Sequence, residues 1–291
     1  MSLLEMQRAF SRILTDRTFR RAFLAGEQDA VREYRLTDRE LNSLRGLPRD
    51  RVAQHAWILA GSRLELALKS IPLAATLLHQ QLHRFVDRFC AEFPPVPVAA
   101  GQVSVESARL CAFILRLLDE QLLTPYWARD VVTFEHIRYS LGVDVAAWDS
   151  GVRTAARNQV PAPADDRALR SLVPETGPHA RLADFDHDLV RIIPRLAAGE
   201  IPPAPPLNRP LHILFVRGPT DPAVRTIKVN DATVALLSAC DGRRSVAGLL
   251  DRLAGSLSGD RPVDRASLDR PALAALRSLQ DLNVIAFRSS D

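Results

Sequence analysis

The chain has 291 residues, 47% of them hydrophobic and 25% charged, with a formal net charge of +4. That is enough apolar material for a substantial core, and the length suits two domains better than one. No run approaches the roughly 18 apolar residues of a membrane-spanning helix, and "MSLLEMQRAFSR" lacks the cationic, apolar and small-residue order of a secretory signal, so a soluble cytoplasmic protein is expected.

Ser2-Leu3-Leu4-Glu5 has the form of a capping box, and Leu3, Met6, Phe10, Ile13 and Leu14 follow it at helical spacing. Phe19, Phe23 and Leu24 prolong that face to Gly26, where the helix is expected to end. A second box, Thr37-Asp38-Arg39-Glu40, introduces Leu41, Leu44 and Leu47 before Pro48 breaks the pattern. A helix from about residue 50 to residue 70 comes next. With Ser70 as cap, Pro72 takes a first-turn position, and Leu73, Leu77, Leu78, Leu82, Phe85 and Phe89 form the buried stripe of the helix closed by "FPPVPVAAG". Leu110, Phe113, Ile114, Leu117 and Leu118 mark another. Thr124-Pro125 starts the last, with Trp127, Val131, Phe134, Ile137 and Leu141 inward and Gly142 at its end. Residues 1–150 thus read as an all-helical domain.

Residues 151–178 include "VPAPADDRALRSLVPETGP", where prolines remove backbone donors and the apolar period is lost, and are read as a linker. Residues 179–291 form the second domain. "HARLADF" suits a strand, "DHDLVRIIPRLAAGE" a short helix capped by Asp186 or Asp188, and "IPPAPP" an extended spacer. "LHILFVRG" and "VRTIKVN" read as strands whose side chains alternate across a sheet, joined through "GPTDPA" as a hairpin. Helices are expected over residues 231–240, 245–254 and 271–283, before a terminal "VIAF". Asp231 would cap the first, with Val234, Leu237 and Cys240 inward; Gly242 would supply the exit and Ser245 the next cap. The expected fold class is α+β, an all-helical domain followed by a short antiparallel sheet with three helices.

The order strand, strand, "NDATVALLSACDGRRSV", helix, acidic loop, "LAALRSLQDLNVI" resembles the peptide chaperone of pyrroloquinoline quinone biosynthesis (PqqD-like) and the wider class of recognition elements for ribosomally made, modified peptides (RiPPs). The likeness spans residues 211–287. It rests on the Asn-Asp helix start, the mid-helix Leu-Leu, and Cys-Asp-Gly leading into a Ser-capped helix. It implies a small winged-helix-like domain that takes the leader of a precursor peptide as an extra strand on an exposed sheet edge, with side chains set against the third helix. By position the edge is Val224, Arg225, Thr226, Ile227, Lys228 and Val229, and the helix contributes Leu273, Leu276, Arg277 and Gln280.

"FSRILTDRTFRRAFLAG", "YRLTDRELNSLRGLP", "SRLELALKSIPLAATLL", "YWARDVVTFEHIRYSL" and "FDHDLVRIIPRLAAGEIPPAPP" look like the partner subunits of multinuclear non-haem iron enzymes in the 3-thiaglutamate and methanobactin systems. That resemblance implies a non-catalytic subunit, without cofactor of its own, that captures a precursor or carrier peptide. It would present a cysteine to a separate TIM-barrel iron oxidase holding the iron.

Two other readings compete. A winged-helix DNA-binding regulator would need a phosphate footprint, yet residues 211–291 hold eleven Arg and Lys against nine Asp, and the third helix is mostly Ala and Leu. The excess of Arg over Lys, whose only members are Lys69 and Lys228, reflects genome composition more simply than a nucleic-acid surface. A stand-alone peptide chaperone serving another maturation enzyme is the second alternative.

Resident chemistry is not expected. Cys90, Cys111 and Cys240 are far apart, without Cys-x-x-Cys spacing, and read as buried thiols. His79 and His83 stand one turn apart in "HQQLH", away from the apolar stripe and without the glutamate of a zinc-protease signature, and read as an exposed polar face or partner surface. "DFDHD" reads as a helix cap with solvated acids, and Glu135-His136 as structure or docking, since adjacent helical residues point apart.

Overall fold

The computed structural model describes residues 3–27, 31–94, 102–143, 160–218, 223–257 and 265–289. The Ser2 cap and most of the "GPTDPA" loop lie outside them. The chain divides into two compact units, residues 1–136 with 195–201, and residues 137–194 with 202–291. Among the described residues no helix is long and apolar enough to cross a membrane.

The first unit opens with α1 (Leu3–Thr15) and α2 (Arg17–Ala25). The apolar face expected to run unbroken to Gly26 is interrupted at Asp16, whose carboxylate accepts the Phe19 amide at 3.0 Å and caps a new helix. Gly26, at φ 86°, ends α2 in the left-handed conformation that glycine adopts without a Cβ penalty. α3 (Asp38–Arg45) begins at the expected box: the Glu40 amide donates to Thr37 Oγ1 at 3.3 Å, and the Thr37 amide donates to Glu40 Oε2 at 2.8 Å. Ile13, Phe19, Phe23, Leu44 and Val52 share the core of this region.

α4 (Arg49–Leu68), α5 (Pro72–Leu82), α6 (Val86–Glu92), α7 (Gln102–Asp119) and α8 (Ala128–Val143) follow, with a 3-10 turn, His83–Phe85, between α5 and α6. The leucines of α5 and α7 are buried as their spacing requires, and Phe89 meets Phe113 with ring centroids 5.4 Å apart. Ser70 is not the cap of α5. Its hydroxyl donates to the Ala67 carbonyl at 2.6 Å, and Ile71 holds the cap position with no side-chain bond. The capping group arrives from α8, where the buried Glu135 carboxylate accepts the Leu73 and Ala74 amides at 2.8 and 2.7 Å. A negative charge there meets the positive end of the helix and satisfies two donors that α5 cannot pair itself.

The remaining elements are α9 (Asp166–Ser171), β1 (Val173–Thr176), β2 (Ala180–His187), α10 (Leu189–Ala197), β3 (Pro206–Arg217), β4 (Val224–Val229), α11 (Asp231–Ala239), α12 (Val246–Leu257), α13 (Arg265–Asp281) and β5 (Ile285–Arg288). Among the described residues the strands form two antiparallel sheets, β2-β3-β4 and β1-β5. The class is α+β.

The stretch expected as linker is, from residue 160, a built part of the second unit. Asp165 accepts the Arg167 and Ala168 amides and caps α9, whose Leu169 joins Leu214, Leu237, Leu249, Leu276 and Phe287 in one core. Prolines hid this from the periodicity, and Pro174 is tolerated because its sheet has only two strands. On β3, Leu214 and Val216 face that core, while Ile213 and Phe215, also buried, point the other way. "ILFV", Ile213 to Val216, is therefore continuously apolar, its side chains alternating between two faces that are both covered. Asn230, not Asp231, caps α11, accepting the Thr233 amide at 2.9 Å. α13 starts six residues before the expected Pro271, which lies inside it, and Asn283 at φ 58° closes it.

Candidate peptide-binding site

β4 pairs with β3 through a register that sets Ile227 opposite Leu214 and Val229 opposite His212, and among the described residues it has no second partner strand. It is a sheet edge. Ile227 and Val229 turn toward the core and anchor the strand, whereas Arg225, Thr226 and Lys228 are exposed and Val224 is half-buried. An edge strand of this kind presents unpaired amides and carbonyls to which an extended peptide can add. Its two exposed cations suit an acidic peptide.

The helix residues expected beside it divide differently. Leu273 and Leu276 are 1% and 0% exposed and belong to the core, so neither offers a contact surface. Apolar spacing marks a buried stripe without saying whether chain or ligand covers it. Arg277 and Gln280 do meet an extended peptide, but it is the chain's own. Gln280 Nε2 donates to the Val160 carbonyl at 2.8 Å, and Gln280 Oε1 accepts the Ala162 amide at 2.7 Å. Arg277 Nη2 donates to the carbonyls of Pro163 and Ala164 at 3.1 and 3.0 Å and to Asp166 Oδ1 at 2.7 Å. The Val160 amide donates to the Phe287 carbonyl at 3.0 Å, adding a bridge to β5. Arg277 is thus not a free guanidinium awaiting an acidic leader.

One polar group at the foot of the sheet escaped the sequence reading. His212 on β3 lies directly opposite Asp184 on β2, with Nδ1 2.6 Å from Asp184 Oδ1 and Nε2 3.0 Å from Asp231 Oδ1. The hydrogen bond to Asp184, joined by the one to Asp231, holds the imidazole pKa above its ordinary value against the opposing effect of burial. Asp184 is therefore a partner of histidine rather than a merely solvated acid of "DFDHD", and Asp231 serves the same contact.

The thiols are not poised for reaction. Burial pushes Cys111 up to about 12 and Cys240 up to about 12, and the carboxylates of Glu135 and Asp241 add to it respectively. Both shifts disfavour the thiolate at neutral pH. Glu135 caps α5, a structural role, where structure or docking was expected of the Glu135-His136 pair.

Comparison with known proteins finds no family model and no curated protein that matches this chain.

Proposed function

We propose that this chain is a non-catalytic accessory subunit that binds the leader or carrier part of a ribosomally made precursor peptide and presents a modifiable cysteine to a separate, TIM-barrel, multinuclear non-haem iron oxidase. The observation that carries the reading is the β4 edge, which among the described residues has no second partner strand, carries two exposed cations, is anchored from behind by Ile227 and Val229, and is followed by α11, α12 and α13. The hairpin β3-β4 leading into three helices follows the strand, strand, helix order of the winged-helix-like peptide chaperones that the sequence resembles. Backbone pairing along β4 would supply general affinity, and Arg225 and Lys228 the preference for acidic peptides.

On this reading the helical unit docks the oxidase. α4 carries Trp57 at 70% exposure, and an exposed tryptophan is a residue type enriched among the anchors of protein interfaces. The test is co-expression with a multinuclear non-haem iron oxidase and a ribosomally made precursor peptide. A one-to-one complex, with peptide turnover that depends on this chain, is the expected result. Turnover by the oxidase alone at an equal rate would contradict it.

A further inference from the structure

We propose that Glu65, His79 and His83 form a divalent transition-metal site joining α4 to the end of α5. The histidines leave α5 and the turn after it one helical turn apart, and Glu65 comes from the neighbouring α4. Both Nε2 atoms lie 2.9 Å from the same Glu65 Oε1, and they are 3.4 Å from each other. Donor atoms bound to one ion at 2.0–2.2 Å stand about 2.9–3.5 Å apart, from right-angled to tetrahedral geometry, and all three separations fall in that interval. The circle through the three atoms has a radius of about 1.8 Å, so an ion seated about 1 Å above their plane reaches all three with no movement of either helix.

The chemistry of the set points the same way. Two imidazole nitrogens converge on one carboxylate oxygen with their rings edge to face at 4.7 Å, which crowds two basic groups around a single acceptor. A cation between them gives every donor lone pair a partner. Two imidazoles and one carboxylate suit Zn²⁺ and its first-row neighbours rather than Ca²⁺ or Mg²⁺. Three protein ligands leave a position for water, beside a groove of ≈ 620 Å³ lined by Glu65, His79, Lys69, Pro72 and Leu77. The three residues belong to the first unit, whereas β4 belongs to the second.

The test is equilibrium dialysis of the intact chain against Zn²⁺, with Co²⁺ substitution read as the visible bands of histidine-ligated cobalt. One ion per chain is expected in the wild type. Glu65→Gln, His79→Ala and His83→Ala should each weaken binding by at least about tenfold, the lower end of what disturbing a ligand set costs. His55→Ala, at a histidine whose Nδ1 faces the Arg51 carbonyl on the same helix, should leave binding unchanged. All four side chains are exposed or half-buried, so the variants are expected to keep the wild-type circular dichroism. No stoichiometric binding by the wild type, or equal binding by the three ligand variants, overturns the proposal.

Discussion

Replacing Glu135 tests whether α5 depends on a cap supplied by another helix. The carboxylate accepts two amides at 2.8 and 2.7 Å in a site where Glu135 is 5% exposed. Hydrogen bonds to a charged group contribute about 1.5–3 kcal/mol each, and Glu135→Ala leaves both donors buried without a partner, so a loss of about 3–5 kcal/mol is expected. Glu135→Gln keeps the shape but offers one acceptor oxygen and a misplaced donor, for a loss of about 1–3 kcal/mol. The assay is urea unfolding of the intact chain, followed by tryptophan fluorescence and by circular dichroism. If Glu135→Ala unfolds within about 0.5 kcal/mol of the wild type, the cap is not holding the helix and the reasoning fails.

His212→Gln should cost more stability in acid than in base. Because the folded-state pKa is raised, the imidazolium's pairing with Asp184 and Asp231 is fully present below the ordinary value of about 6.5 and is lost as pH rises through the folded value. Urea unfolding at about pH 5.5 and about pH 8.5 checks this, and an equal deficit at both would contradict it. Gln280→Ala removes both bonds to the backbone of residues 160–162, roughly 1–3 kcal/mol in sum. Limited proteolysis should then cut within residues 160–165 faster than in the wild type while α13 persists. Trp57→Ala should weaken capture of the iron oxidase by about 2 kcal/mol or more, measured by calorimetry, with urea stability unchanged because the ring is exposed.

Several local signals are legible in the sequence, although the caps expected at Ser70 and Asp231 fall elsewhere, and contacts between distant residues are not. The Thr37–Glu40 box, the Gly242 exit at φ 72° and the Ser245 cap, which accepts the Gly248 amide at 3.3 Å, each lie within four residues, so the sequence alone determines them. Asp16 is just as local, but Phe19 and Phe23 continue the apolar phase of α1 and masked its break. The true cap of α5 is 62 residues from Leu73, beyond the reach of any pattern. Residues 160–176 lost their periodicity to proline, and their role depends on Gln280 and Arg277, more than a hundred residues later. At the histidine pair, the i, i+4 spacing was visible, but the carboxylate that completes the cluster comes from a separate helix. For the peptide edge, β4 was placed correctly, while Leu273 and Leu276 show that an apolar helix stripe cannot distinguish a groove from a core.

The central claim is peptide capture along β4, and titration of a labelled acidic leader peptide into the intact chain tests it most directly. Arg225→Glu with Lys228→Glu alters exposed side chains and should weaken binding by about tenfold or more with the fold intact. Ile227→Pro, which removes a backbone donor from the edge strand, should abolish binding in any fraction that folds. Saturable binding by the wild type that both changes reduce is the predicted result. Equal affinity in all three proteins, or binding of duplex DNA in place of the peptide, would contradict the account.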